Sequence, residues 1–163
     1  MPKPILNPIR VSALTVKASG RANTIETEAE IWKAFDPADT DKDKVPPPKK
    51  YRAIWDTGAT ASVITRKVVE ECQLEPIGMT RVHTASGEYD CNVFLVNIAL
   101  PGNVMITQVR VTEGEIFGQC EVLIGMDIIS HGDFAFTNKD GKSTFSFRIP
   151  SVEEIDFVKQ GRT

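Results

Sequence analysis

A mainly β fold with one or two short helices is what this sequence predicts, and three observations carry the expectation. Residues 24–32 and 144–149 alternate polar and apolar side chains, the period of a strand with one buried face. Clear turn signals separate such stretches, among them Pro101-Gly102-Asn103 and Asn138-Lys139-Asp140-Gly141. Helical spacing is confined to brief runs. At 163 residues the chain suits one domain.

Taken in order, residues 1–23 read as an N-terminal arm, extended by its prolines, with Ile9, Val11, Leu14 and Val16 as a candidate strand. Residues 24–32 alternate around Ile25, Thr27, Ala29 and Ile31 and read as a strand, although their glutamates also allow a helix. Four prolines and many charges make 36–50 a solvated loop. Residues 51–55 then return antiparallel to 24–32. Thr65 is a candidate helix N-cap, and Val68, Val69 and Cys72 share one face of a short helix over 66–72. Cys72 reads there as a packed small hydrophobe rather than a nucleophile.

Residues 80–94 form two strand-like arms around Ala85-Ser86-Gly87-Glu88, a hairpin signal, with His83 near its base. The apolar strand 93–100 turns at Pro101-Gly102-Asn103 and returns over 104–111. A link over 113–119 leads to Val122-Leu123-Ile124-Gly125, a core strand ending in a turn, and Met126-Asp127-Ile128-Ile129 begins a short helix. A last hairpin carries an aromatic face of Phe134, Phe136, Phe145 and Phe147. Residues 151–163 are a polar tail with Ile155, Phe157 and Val158 as anchors.

Composition narrows the function classes. Hydrophobic residues at 41% and charged residues at 25% are ordinary for a globular chain. A net charge of −3 gives the whole chain no pull toward nucleic acid or an anionic membrane. The first residues lack the apolar core of a signal peptide, and no run is long enough to span a bilayer. Cys72, Cys91 and Cys120 are an odd number without paired spacing, so reduced thiols and a cytoplasmic setting are expected. His83 and His131 share no metal-ligand spacing with them. No metal and no cofactor is expected.

Chemistry concentrates in Ala53-Ile54-Trp55-Asp56-Thr57-Gly58-Ala59. Three apolar residues run straight into a carboxylate, a hydroxyl, a glycine and a small residue. A short apolar run bounded by a glycine turn reads as a buried strand. It delivers Asp56 to a narrow loop, where Gly58 permits a sharp turn and a close approach. A carboxylate so placed is costly for packing and points to chemistry.

Asp56-Thr57-Gly58-Ala59 resembles the active-site motif of the retropepsins, the single-lobed aspartic proteases of retroviruses. Val122-Leu123-Ile124-Gly125 followed by a short helix is similar to that family's second signature. The resemblance covers residues 24–150, and implies a closed β-barrel lobe of the acid-protease type. In that lobe the catalytic strand lies beside a later apolar strand in a psi-shaped arrangement, with glycine where the two segments pass.

The resemblance also implies a mechanism. Aspartic proteolysis uses two carboxylates sharing one proton, and this chain carries a single Asp-Thr-Gly. Asp127, Asp133 and Asp140 each lack the following Thr/Ser-Gly. The second carboxylate is therefore expected from Asp56 of another copy, in a twofold homodimer. By the same resemblance, Thr57 bonds across the axis, Gly58 leaves a carbonyl toward substrate, and Ala59 replaces the serine of pepsin-like enzymes. Lacking that hydroxyl, the pair should ionise at higher pH than in pepsins. Thr84, Ala85, Ser86 and Gly87 occupy the place of the flap that folds over bound peptide, with only one glycine at its tip. Retroviral relatives carry an acidic residue where Thr60 stands and arginine where Met126 stands, an ion-pair network supporting the dimer. With both missing, the aromatic hairpin and the arm are the candidates to hold it.

The expected function is an aspartic endopeptidase acting on extended peptides, with autoprocessing as in retroviral relatives an open option. The alternative is a catalytically silent peptide- or partner-binding module on the same dimeric fold. A structural β-domain that matches by accident is the third reading.

Overall fold

The computed structural model describes residues 10–38, 41, 45–84 and 87–161. Polar and apolar alternation positions the first strands of its main sheet. Strand β2 (Glu26–Lys33) turns Thr27, Ala29 and Ile31 inward. It runs antiparallel to β3 (Lys49–Trp55), with Glu26 opposite Ile54 and Ile31 opposite Lys49. β3 lies parallel to β8 (Val122–Ile124), and β8 lies antiparallel to β4 (Val63–Ile64). β4 then pairs in parallel with β7 (Val104–Glu113), and β7 antiparallel with β6 (Gly87–Leu100). β6 returns to β2, with Glu30 opposite Ala99.

Among the described residues this closes a barrel of six strands. Closure gives every strand of the ring two neighbours and removes the free edges of an open sheet. Ile31, Ala53, Ile64, Val96, Ile98, Val111, Val122 and Ile124 fill its interior. β5 (Gly78–Thr84) stands outside the ring as the second arm of a hairpin with the free end of β6.

β6 serves both structures because it is long, 14 residues. Its pairing with β7 is irregular: Val96 faces Val109 but Ile98 faces Ile106, so β7 carries an extra residue, with Thr107 and Gln108 opposite Asn97. Asn97 is fully buried, and its amide donates to the Phe35 carbonyl and accepts from the Gln108 N–H, both at 2.8 Å. A bulge of this kind re-aims a strand, and the paired amide prevents a buried polar orphan.

A second sheet has the order β1 (Ser12–Lys17), β10 (Thr144–Ile149), β9 (Asp133–Thr137). β1 falls within the segment read as an arm. It pairs with β10 from Ser12 opposite Ile149 to Lys17 opposite Thr144. The turn between β6 and β7 closes on it. Gly102 has φ +74, and a Cβ there would stand 1.8 Å from the Ala13 carbonyl oxygen.

The aromatic face of the last hairpin is turned inward. Trp55 packs on Phe145 and Phe147 with ring centroids 4.8 and 5.0 Å apart, and Phe134 joins at 6.3 Å. Phe145 and Phe147 are buried within the protomer. These two rings are packed against the strand that carries Asp56 and offer no surface to a partner. Phe136 alone of the four is exposed.

The helices are short. α1 (Arg66–Glu71) buries Val68, and Thr65 holds its N-cap position with an extended backbone but makes no side-chain cap bond. The Thr65 hydroxyl donates instead to the Glu121 carboxylate. Cys72, just past its end, is half-buried and bonded to the Tyr51 hydroxyl, and burial pushes its thiol pKa up. A protonated packed thiol agrees with the non-nucleophilic reading. α2 (Met126–Ile129) follows the second glycine segment, and α3 (Phe157–Gln160) lies in the tail. Ile155, Phe157 and Val158 are exposed, so they do not anchor the tail. Asp133 does that work, accepting from the Ser151 hydroxyl, the Val152 N–H at 3.0 Å and Arg148 Nε at 2.6 Å. None of the described helices is long and apolar enough to cross a membrane.

The Ser151 hydroxyl, the Val152 N–H and Arg148 hold the Asp133 carboxyl well below the usual carboxylate range. A depressed native pKa stabilises the fold above the unfolded value and loses that contribution as pH falls toward the native one. Thermal melts should therefore show Asp133→Asn less stable than wild type near neutral pH. The difference should shrink progressively below about pH 4. A gap independent of pH would exclude the charged anchor.

Candidate active site

Asp56 sits where two chain segments cross. β3 ends at Trp55, and the Asp56 N–H donates to the Ile124 carbonyl at 3.0 Å, extending the parallel ladder with β8 by one step. The chain then turns through Thr57 and Gly58 and comes back as β4, on the other side of β8. The short strand β8 is thus threaded between the two limbs of the Asp56 loop.

The loop is held from inside and from below. Asp56 Oδ1 accepts from the Gly58 N–H at 2.8 Å, and the Ala59 N–H donates to the Asp56 carbonyl at 3.2 Å. The first bond fixes the carboxylate's orientation and leaves Oδ2 free of any partner among the described residues. The Met126 N–H donates to the Ala59 carbonyl at 2.8 Å, and the Asp127 N–H to the Thr60 carbonyl at 3.1 Å. A Cβ on Gly125 would lie 2.7 Å from the Ala61 carbonyl carbon and 3.0 Å from the Ala59 oxygen. Backbone meets backbone there, so only glycine fits.

A polar clasp locks the same crossing. The Asp127 carboxylate accepts from the Ser62 hydroxyl at 2.7 Å and from the Ser62 N–H at 2.9 Å. The Ser62 hydroxyl in turn accepts from the Gly125 N–H at 3.0 Å. Ser62 is completely buried, and the chain of bonds satisfies every polar group it encloses.

Above the loop lies an open cleft of about 1250 Å³. Its walls include Asp56, the hairpin residues Met79 and Tyr89, and the 113–117 segment. Asp56 and Thr57 are exposed, and the Thr57 hydroxyl has no partner among the described residues.

Comparison with known proteins agrees with this geometry. The family model described as "gag-polyprotein putative aspartyl protease" matches residues 48–131, just over half of the chain. The protein belongs to this aspartyl protease family. The matched stretch runs from the strand before Asp56 to just past α2, so it contains both crossing segments. The fold is retropepsin-like. A retropepsin-like aspartic protease from Rickettsia conorii superposes with a TM-score of 0.51 at 12% identity, covering 86% of this chain and 96% of that one. The simian foamy virus (mac) protease gives 0.41 at 21% identity, over 65% of this chain and 92% of its own. The retroviral protease-like domain of Ddi1 from Leishmania major gives 0.44 at 14%, over 77% and 95%. A search of curated proteins returned no match.

For this aspartyl protease family member, the sequence placed the two glycine segments at one crossing, and the structure brings them there. Of the flap candidates, Thr84 and Gly87 stand opposite each other at the hairpin end, and Gly87 has φ +130, a backbone state that favours glycine. Ala85 and Ser86 lie outside the described residues. His83 is exposed and pairs with Glu88 at 2.8 Å across the hairpin, away from Asp56's hydrogen bonds. Sequence reasoning missed Ser62. Its one available signal was a serine between small and apolar residues. Asp127 was set aside as a second catalytic acid, and its clasp gives it a structural task instead.

Gly125→Ala should destabilise the fold by at least about 1–3 kcal/mol in urea unfolding, because the added methyl meets fixed backbone. Gly20→Ala, with open space around it, should stay within about 0.5 kcal/mol of wild type. Equal midpoints for the two variants would contradict the tight crossing.

Proposed function

We propose that the protein is an aspartic endopeptidase whose acid pair is formed by Asp56 of two copies in a twofold homodimer. The observation that carries the reading is the placement of Asp56: exposed in an open cleft, oriented by the Gly58 N–H, on a loop fixed by the threaded strand β8. Membership of the aspartyl protease family and the retropepsin-like fold support it.

One chain supplies half of what the chemistry needs. Two carboxylates in contact share a proton, since both cannot ionise easily at that distance. The ionised member takes a proton from a water held between them. The protonated member donates to the scissile carbonyl oxygen as the water oxygen attacks the carbonyl carbon. The resulting gem-diol collapses with loss of the amine, which receives a proton, and the shared proton returns to the pair. No covalent intermediate forms. The unpartnered Thr57 hydroxyl is free to bond across the axis to the second copy's loop, and the small Ala59 lets the loops approach. The hairpin at Thr84, Ala85, Ser86 and Gly87 covers the bound strand, whose backbone pairs with it by strand addition.

Three results test the proposal together. Asp56→Asn should remove peptide cleavage while circular dichroism and sedimentation remain those of wild type. Specific activity should fall when wild type is diluted below the dimer dissociation constant. With Ala59 offering no hydroxyl to the ionised acid, kcat/KM should peak above about pH 4, toward neutrality. Cleavage that survives Asp56→Asn, or that is constant on dilution, removes the shared pair.

A further inference from the structure

The 113–117 segment reaches the Asp56 cleft along the strand that leaves the Asp56 loop. β4 pairs with β7, Ile64 opposite Glu113, and the Gly114 N–H donates to the Ile64 carbonyl at 3.0 Å. A Cβ on Gly114 would lie 2.9 Å from Val63 Cγ1 and 3.6 Å from the Tyr89 hydroxyl. The backbone is therefore seated tightly between β4 and the hairpin. Beyond that seat Glu115 is exposed, and Phe117 is 99% exposed, the most open large apolar side chain among the described residues.

The charges of the cleft are unevenly spent. Its cations are Arg66 and Lys67. Arg66 is held by Glu70 at 2.9 Å and by Glu113 at 3.8 Å, and Lys67 by Glu121 at 3.3 Å. Asp90 is taken by Arg81 at 3.0 Å. Glu115 has no hydrogen-bond or ion-pair partner among the described residues. Apart from Asp56, it is the uncompensated carboxylate of this cleft. A bare carboxylate two residues from a bare phenyl ring, just past the seated Gly114, is complementary to an apolar side chain accompanied by a cation.

We infer that this cleft selects extended peptides carrying Lys or Arg close to an apolar residue, with Glu115 meeting the cation and Phe117 the apolar side chain. The inference rests on the peptidase reading of the Asp56 site and names its substrate class. In a twofold pair each side of the cut meets its own Glu115.

The test uses the full chain in its Asp56→Asn form, which holds peptides uncut and leaves Glu115 as the cleft's remaining bare charge. Fluorescent ten-residue peptides with a central Phe-Leu pair are made with lysine, norleucine or glutamate at each flanking position in turn. Binding is read by fluorescence polarisation. Cleavage of the same set by wild type is followed by mass spectrometry. At one position or more, lysine should bind about threefold to fivefold tighter than norleucine, the scale of an exposed ion pair. Glutamate should bind more weakly than either. The preference should shrink at high salt, vanish when Glu115→Gln is added and reverse with Glu115→Lys. Equal binding of lysine and norleucine at every position, or a preference that survives Glu115→Gln, overturns the inference. Cleavage without the preference overturns it alone. The preference without cleavage overturns the peptidase reading alone, and absence of both binding and cleavage overturns both.

Discussion

The close passage of two backbones at Gly125 is the constraint on which the remaining architecture depends. Strand β8 can run between β3 and β4 only if the segment after it slips past the return limb of the Asp56 loop. No side chain fits at that point. Ser62 and Asp127 then tie the passage from both sides, and the loop's carbonyls accept from the start of α2. The consequence for chemistry is rigidity. A carboxylate whose neighbours are bonded to a second, independently anchored segment loses little entropy when it engages a substrate.

The three-stranded sheet makes that rigidity affordable. Trp55, the residue before Asp56, spends its ring on Phe134, Phe145 and Phe147 and its indole N–H on the Thr27 hydroxyl at 3.0 Å. The aromatic hairpin thus acts as a plate behind the strand that carries Asp56. Neither Thr60 nor Met126 can form an ion pair, so the proposed dimer would need other contacts than the charged network of retroviral relatives.

Much of this was legible before folding. Period-two alternation in β2 and β10, turn chemistry at Pro101-Gly102-Asn103 and the two glycine segments each act through local physics, so sequence spacing records them. The crossing of β3 and β8 was legible through resemblance alone, because pairing between residues some seventy positions apart leaves no local trace. Three features stayed hidden for related reasons. Ser62 and Asn97 are polar residues whose burial is decided by distant partners. The inward turn of the aromatic face depends on where Trp55 lies. The exposure of Phe157 and Val158 follows from a tail tied down by Asp133, an anchor that no hydrophobic pattern reveals. The role of the 113–117 segment as a cleft wall was read only as a link, since its side chains follow no period.

A single chain carries one Asp-Thr-Gly at its open cleft, and the proposed reaction needs two chains to share one centre. The most direct measurement is the stoichiometry of a peptide carrying a secondary alcohol in place of the scissile amide, a mimic of the tetrahedral intermediate, titrated calorimetrically into wild-type protein. One peptide bound per two chains is the predicted result, with the affinity in Asp56→Asn falling to that of the corresponding unmodified peptide. One peptide per chain, held by a protein that sediments as a monomer, would contradict the shared centre.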